Sequence, residues 1–109
     1  MTQDAPVYRI DVSVVSEYLP LESDSGTDRF VFSYTVTLHN SGTVTARLLS
    51  RHWLITDGEG HVQEVRGEGV VGEKPVLEVG DTYTYTSGAM LETPVGSMRG
   101  SYQMVAEDG

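Results

Sequence analysis

The stretch that decides the fold is residues 29 to 40, with the sequence RFVFSYTVTLHN. Large apolar side chains occupy every second position from Phe30 to Leu38, and mostly smaller or polar residues lie between them. Successive side chains of a β-strand point to opposite faces, so this period of two predicts a strand with one face in a core. Aromatic and β-branched residues, which strands favour, are also abundant here. The stretch is therefore predicted to form a long strand.

The same alternation recurs along the rest of the chain. It predicts further strands at about residues 8–14, 43–56, 61–65, 82–87 and 98–106, and a short apolar segment at 75–81. The doublet Leu48-Leu49 interrupts the alternation between residues 43 and 56. A β-bulge at that point would turn Leu49, Trp53 and Ile55 inward, and Trp53 is then interpreted as a core tryptophan.

Turn-forming residues separate these segments about every ten residues. Loops are predicted at residues 19–28, 57–60, 66–75 and 87–96. No window has the i, i+3, i+4, i+7 apolar spacing of a helix without intervening glycine, proline or β-branched residues. The pattern predicts an all-β protein, an antiparallel β-sandwich of six or seven strands. A length of 109 residues suits one domain, so residues 1–109 are predicted to form a single unit.

Composition excludes several classes of function. The chain has 16 acidic and 7 basic residues, a formal net charge of −9, and no cysteine. Nucleic acids and anionic membranes would be repelled by this charge on average. Cysteine chemistry is absent, and neither a signal peptide nor a run of about 20 apolar residues is found. We therefore expect a cytoplasmic protein that binds neither nucleic acid nor membrane.

Gly67, Gly69 and Gly72 form a G-x-G-x-x-G pattern within RGEGVVGEKP. In dinucleotide-binding proteins this pattern lies between a strand and a helix whose N-terminus holds a pyrophosphate. Glu-Lys-Pro and a β-like segment follow here, so that function is rejected. Two interpretations stay open. The glycines build a tight exposed loop, or their backbone N–H groups bind an anion such as phosphate or pyrophosphate with help from Arg66 and Lys74. A divalent cation such as cobalt or magnesium is the other ligand considered for this loop.

Residues for catalysis or metal binding are not assembled by the sequence. His39, His52 and His61 fall near three different predicted strands, without the short-range histidine pairs of structural metal sites. No serine has a nucleophile-elbow context. We therefore predict a protein that is not an enzyme, with no metal site and no cofactor.

Arg51, Arg66 and Arg99 are the remaining candidates for a binding role. They lie near acidic residues at positions 64, 68 and 92, so they either form surface salt bridges or bind a partner's carboxylate or phosphate groups. Arg51 and Arg99 are the candidate partner-binding residues. The candidate ligand-binding residues are Arg66, Gly67, Gly69, Gly72 and Lys74.

Three motifs resemble the ApaG domain family: SRHW at residues 50–53, RGEGVVG at 66–72 and LETPVGSMRGSYQM at 91–104. The likeness extends from about Val12 to the end. It implies a fibronectin type III-like, immunoglobulin-like sandwich and no agreed catalytic residues. It also implies a loose association of bacterial members with cobalt and magnesium resistance, and a protein-interaction role in related eukaryotic domains.

The chain ends in Glu107-Asp108-Gly109, although Asp-Gly after an alternating strand favours a hairpin. Either this is a frayed tail, or a final strand, which the resemblance also implies, is missing. In the second case an unpaired sheet edge invites another chain, including a second copy. We expect a non-enzymatic binding module for another protein, with small-ligand binding at the glycine loop as the alternative.

Overall fold

The strands of the protein were located in a computed structural model, which describes residues 5–109. Residues 1–4 lie outside the described residues. They begin the N-terminal segment for which no signal peptide is predicted. Alternating segments form seven strands within that range: β1 (Ile10–Tyr18), β2 (Phe30–Asn40), β3 (Ala46–Asp57), β4 (Val62–Glu68), β5 (Val76–Leu77), β6 (Thr82–Leu91) and β7 (Gly96–Ala106). The single long strand expected at residues 29–40 is β2.

Two antiparallel sheets result. In the first sheet, β2 lies between β1 and β6. In the second sheet, β3 pairs with β7 along one edge, and with β4 and then β5 along the other. The two sheets pack through the large apolar side chains that the alternation assigned to one face of each strand. The predicted all-β antiparallel sandwich, of the fibronectin type III and immunoglobulin-like class, is confirmed.

The core lies between the centres of β2 and β3. Val36 and Leu38 on β2 and Leu48 on β3 are fully buried. Trp53 is also buried, and its ring centroid lies 6.3 Å from that of Tyr34 on the opposite sheet. Burial of a side chain of that size stabilises the fold by about 1.5–3 kcal/mol. Trp53 is thus a core residue, as predicted.

The bulge in β3 is present, but its effect on Leu49 was predicted wrongly. The pairing with β7 shifts between Leu48 and Ser50. Leu49 is the extra residue, so it has no partner opposite it on β7 and its side chain is exposed. Because the alternation of inward and outward side chains shifts by one residue at the bulge, the side chain of Arg51 points to the inner face, as that of Trp53 does.

The loop predicted at residues 87–96 was also placed wrongly, because β6 continues to Leu91. The residues of the segment SGAM pair with β2, and Gly88 lies opposite Ser33. Hydrogen bonding to an adjacent strand outweighs the weak strand propensity of serine, glycine and alanine. In the same way β4 extends to Glu68, three residues into the predicted glycine loop.

Within residues 5–109, helical structure is confined to two single turns of 3-10 helix, Pro20–Glu22 and Ser25–Thr27. Both lie in the predicted loop at residues 19–28. The second turn is capped by Asp24, whose Oδ1 accepts a hydrogen bond of 3.0 Å from the Gly26 N–H. In the described part of the chain, we find no helix with the length and apolar character needed to cross a membrane.

Candidate binding site

The second half of the glycine motif is a tight β-turn. The N–H groups and carbonyls of Val70 and Glu73 bond each other in both directions, at 2.7 and 2.9 Å. Val71 and Gly72, the two residues between them, have φ angles of 48° and 80°. Positive φ at both central positions defines a type I′ turn, which matches the twist of the adjoining strands. Strand β5 follows the turn, so no helix N-terminus stands behind Gly72 to hold a pyrophosphate.

Gly69 is required by the close approach of the two arms of this turn. Its φ is 64°, and a Cβ atom there would lie 2.1 Å from the Glu73 carbonyl oxygen. The N–H group of Gly69 donates to the Leu49 carbonyl at 2.8 Å. Since the N–H groups of Gly69, Val70 and Glu73 all bond to carbonyls of the chain, an anion in this loop would need other donors.

The Arg51 side chain binds the backbone at the start of the glycine loop. Its Nη1 donates to the Gly69 carbonyl at 2.7 Å and, at 3.4 Å, to that of Glu68. The guanidinium lies directly against Gly67, where an added Cβ would be 2.8 Å from Nη1. Gly67 therefore provides the space that Arg51 occupies. Arg51 bonds backbone carbonyls rather than the carboxylates expected of a salt bridge.

A cleft of about 490 Å³ lies beside Arg51 on the second sheet. Arg51 and Arg66 both line it, as does His52, which is directly opposite Arg66 in the β3–β4 ladder. Ser50, Gly67, Glu68 and Gln103 complete the lining. The lining of the cleft thus includes two arginines and a histidine within a protein of net charge −9, and the side chains of His52 and Arg66 share one face of the sheet whereas that of Arg51 lies on the other.

Glu64 is the carboxylate that faces this cationic group. It accepts a bond of 2.9 Å from His52 Nε2, and Arg66 Nε is 3.3 Å from its other oxygen. The hydrogen bond from His52, with the charge of Arg66, lowers the pKa of Glu64. Exposed pairs of this kind are worth about 0–1 kcal/mol, so Arg66 can change partner at little cost.

The remaining predicted site residues lie away from the cleft. Gly69 and Gly72 belong to the turn, and Lys74 forms an ion pair of 3.1 Å with Glu68. Arg99 is exposed on the outer face of β7, opposite Leu54. Within residues 5–109 it forms no ion pair. The three arginines therefore do not lie on one face of the sheet, because the side chain of Arg51 points to the inner face of β3.

A second feature is an open seam between the sheets, formed by the inner faces of β1 and β7. Val12 and Val14 on β1 lie opposite the fully buried Leu38 and Val36, yet they are 46% and 38% exposed. The second sheet covers β2 but does not extend over β1. In the described range β7 pairs with β3 alone, which leaves its other backbone edge open beside the seam.

Two recesses open along this seam. One, of about 530 Å³, lies between Ile10 at the start of β1 and Met104 near the end of β7. The other, of about 210 Å³, lies near Met98 at the opposite end of β7. The two recesses share no lining residue, and they lie at opposite ends of β7, whose other edge is open within residues 5–109.

Comparison with known proteins identifies the family. The model of the ApaG domain matches residues 20–106. The chain belongs to the ApaG domain family. It is 67% identical over 102 residues to the ApaG protein of Nitrosospira multiformis, covering 94% of this chain and 80% of that one. It is 61% identical over 104 residues to the ApaG protein of Pseudomonas entomophila, covering 95% and 82%.

The ApaG fold is also found in a crystal structure described as an ApaA protein of Bordetella pertussis. That structure superposes with a TM-score of 0.93 at 51% identity, covering 97% of this chain and 86% of that chain. The family resemblance noted in the sequence is thus confirmed. These relatives bear names that state no activity or ligand.

The fold of this ApaG domain also brings together three side chains that the sequence analysis did not connect. Asp57, His61 and Glu92 offer ligand atoms that all lie within 4.8 Å of one another. The local signal for this group was the spacing Asp-x3-His across the hairpin loop after β3, which is not one of the histidine pairs typical of structural metal sites. Glu92 had none, since it comes from the loop after β6.

Proposed function

We propose that this protein is a non-enzymatic binding module that recognises another protein by adding a strand of the partner to the open edge of β7. The observation that carries the proposal is the seam. Among residues 5–109, the outer backbone edge of β7 pairs with no other strand, and it lies beside apolar side chains that are more than one-third exposed. Peptides that add to a sheet gain affinity from main-chain hydrogen bonds and specificity from alternate side chains in pockets.

The sequence of β7 supports this role for its edge. Sheet edges that avoid pairing usually carry lysine, proline or inward-pointing charge. Strand β7, GSMRGSYQMVA, has one charged residue, Arg99, and no proline. Its inner face carries Met98, Tyr102 and Met104, all partly exposed. An incoming strand with apolar residues at alternate positions would cover these side chains and those of β1 together.

A matched pair of valine substitutions tests this mode of binding. Val12→Lys places a charge in the seam, whereas Val15→Lys places the same charge on the outer face of the same strand, where Val15 is 68% exposed. Cross-linked complexes formed in lysate at high salt would be quantified for both variants and the unsubstituted protein. We expect the partner to be retained by Val15→Lys and lost with Val12→Lys. Equal retention by both variants would rule out the seam.

Self-association through the same edge is a distinct outcome of this experiment. It would appear in sedimentation of the purified protein as a dimer that Val12→Lys dissociates and Val15→Lys does not. The cytoplasmic location expected from the sequence remains a prediction, which fractionation of cells would test.

A second candidate function is the binding of a small anion, phosphate or pyrophosphate, in the cleft of Arg51 and Arg66. It is favoured by the pairing of His52 with Arg66 on one face of the sheet, in the lining of the 490 Å³ cleft that Arg51 also borders. Bidentate hydrogen bonds from arginine suit phosphate oxygens. The cation alternative has less support in the glycine loop, because Glu68 is paired with Lys74 and Glu73 accepts a bond from Tyr83.

Calorimetric titration with pyrophosphate and with ATP tests the anion site. We expect saturable heat that Arg66→Ala removes and Arg47→Ala preserves, since Arg47 is exposed on β3 but lies outside the cleft. Absence of heat at millimolar anion, or equal loss with both variants, would end the anion proposal without affecting the strand-addition proposal.

A further inference from the structure

The hairpin after β3 and the loop after β6 meet at one end of the sandwich. Asp57 is the last residue of β3, His61 immediately precedes β4, and Glu92 immediately follows β6. The Oδ2 atom of Asp57 lies 3.0 Å from Nδ1 of His61. A carboxylate oxygen of Glu92 completes a group of three ligand atoms within 4.8 Å of one another.

Asp57 is held in a fixed orientation by its own hairpin. Its Oδ1 accepts hydrogen bonds from the backbone N–H groups of Glu59 and His61, both at 2.9 Å. The side chain is only 5% exposed. Oδ2 receives neither of these bonds and is directed at His61. One oxygen of the buried Asp57 carboxylate thus holds the hairpin together, and the other faces His61 and is available as a ligand atom.

The two loops are also joined to each other. The N–H group of Gly58 donates to Oγ1 of Thr93 at 2.7 Å, and that hydroxyl donates to the Val95 carbonyl at 2.7 Å. Thr93, next to Glu92, is buried. The backbones that carry Asp57 and Glu92 are therefore fixed relative to each other. Rotation of the exposed Glu92 and His61 side chains is enough to bring the three ligand atoms closer together.

The charge of the group is not balanced by arginine or lysine. Among residues 5–109, the sole ion pair of Asp57 is with His61, and Glu92 has none. Glu59 lies close enough to act on His61, and Arg29 and Asp28 line a recess beside Glu92. With His61 neutral, Asp57, Glu59 and Glu92 together carry three negative charges. A buried carboxylate in such a position is usually paired or bound to a metal.

We propose that Asp57, His61 and Glu92 form a binding site for a divalent first-row transition-metal ion such as Zn²⁺. The ligand atoms are one imidazole nitrogen and two carboxylate oxygens. Imidazole suits zinc, nickel and iron, whereas Mg²⁺ and Ca²⁺ take oxygen ligands. Zn–N and Zn–O bonds of about 2.0–2.2 Å place two ligand atoms of a tetrahedral ion about 3.3–3.6 Å apart. The Asp57–His61 separation of 3.0 Å is shorter than this, so a small rotation of the exposed His61 side chain would admit the ion, and water would fill the remaining position.

The test is titration of the purified full chain with ZnCl₂, NiCl₂ and MgCl₂ by calorimetry, with the imidazole nitrogens followed by NMR. We expect one Zn²⁺ or Ni²⁺ per chain, with the His61 resonances shifted and Mg²⁺ bound more weakly. His61→Ala and Glu92→Gln should each weaken Zn²⁺ binding at least about tenfold, or 1.4 kcal/mol. Both replace exposed side chains, so the fold, checked by circular dichroism, is expected to survive.

His52→Ala is the matched control, because His52 also bonds to a glutamate, Glu64, at 2.9 Å, but no third metal-ligating side chain of the described residues joins that pair. Its affinity for Zn²⁺ should be unchanged. The proposal is overturned by the absence of binding at 1 mM Zn²⁺, roughly the weak limit of specific metal sites. It is also overturned if His52→Ala and His61→Ala weaken binding equally, or if Mg²⁺ binds as tightly as Zn²⁺ to the unsubstituted protein.

Discussion

The hydroxyl groups of Tyr85 and Tyr102 lie 2.5 Å apart and join the two sheets. Tyr85 is on β6 of the first sheet, and Tyr102 is on β7 of the second. Burial and the hydrogen bond with Tyr85 raise the pKa of Tyr102 well above its ordinary value. Tyr102 therefore stays protonated and neutral throughout the range in which the protein would be studied, and the contribution of the pair is that of an ordinary hydrogen bond.

Replacing either tyrosine by phenylalanine should destabilise the protein. Tyr85→Phe and Tyr102→Phe should each lower the free energy of unfolding by about 1 kcal/mol, because each leaves the other hydroxyl without its partner. The double variant should lose less than the sum of the two. Urea denaturation of all four proteins measures the coupling, expected at about 0.5 kcal/mol or more. Strictly additive losses would show that the bond contributes nothing.

Gly100 is expected to be intolerant of any side chain. A Cβ atom there would lie 2.1 Å from the carbonyl oxygen of His52 and 2.9 Å from Cε3 of Trp53. Gly100→Ala should cost roughly 1–3 kcal/mol in thermal or urea unfolding, since backbone must move. The control is Gly88→Ala in β6, whose nearest atom would be at an ordinary 3.6 Å. A Gly100→Ala protein as stable as the Gly88→Ala protein would contradict the packing described here.

Val71→Asn should stabilise the protein. Val71 is 64% exposed and is held at a φ of 48°, which a β-branched residue adopts only with strain. Asparagine tolerates this conformation and creates the Asn-Gly pair favoured in type I′ turns. We expect a gain of about 1 kcal/mol in urea unfolding. Val62→Asn, at an exposed strand position, should give no gain, and a loss at position 71 would refute the turn assignment.

The Asp57–His61 pair should give the free energy of unfolding a maximum with pH, with a loss of stability at both lower and higher pH. Burial opposes ionisation of Asp57, but hydrogen bonds from the His61 and Glu59 backbone and from the His61 ring outweigh it and lower its pKa below 3.8. The hydrogen bond to Asp57 and its negative charge raise the pKa of His61 above 6.5. Stability from Asp57 is present above pH 3.8 and is lost as the pH falls through the lowered pKa.

For His61 the sign is opposite. Its contribution is complete below pH 6.5 and is lost as the pH rises through the raised pKa. Unfolding free energies measured from pH 3 to 9, in the absence of metal, should therefore decline above pH 6.5 in the unsubstituted protein. His61→Ala should abolish that decline, whereas His39→Ala should retain it. A decline that persists in His61→Ala would assign it to another group.

Much of the fold followed from local pattern. The alternation at residues 30–38 identified β2, because a period of two is a property of the strand backbone itself. The Leu48-Leu49 doublet marked the bulge for the same reason. The segment at residues 87–90 was not recognisable, since its pairing with β2 comes from a strand more than 50 positions away along the chain. Local propensity carries no information about such a partner.

The candidate sites were predicted less completely. The glycines correctly marked a tight turn, because positive φ is a local property of those residues. The grouping of Arg51 with Arg99 did not match the structure, since the bulge changed the phase of β3 and turned Arg51 inward. Its bonds to the Gly69 and Glu68 carbonyls depend on how the hairpin packs against β3, which no short-range spacing encodes.

The sequence by itself determined the strands, the sandwich and the rejection of a dinucleotide site, because each depends on the period of the chain and on the conformations that glycine and proline permit. Only the tertiary structure decided that Val12 and Val14 lie uncovered beside β7, and that Glu92 meets Asp57 and His61. Those relationships arise where segments distant in sequence are brought together by the burial of a common core, so they follow from the packing of the whole chain.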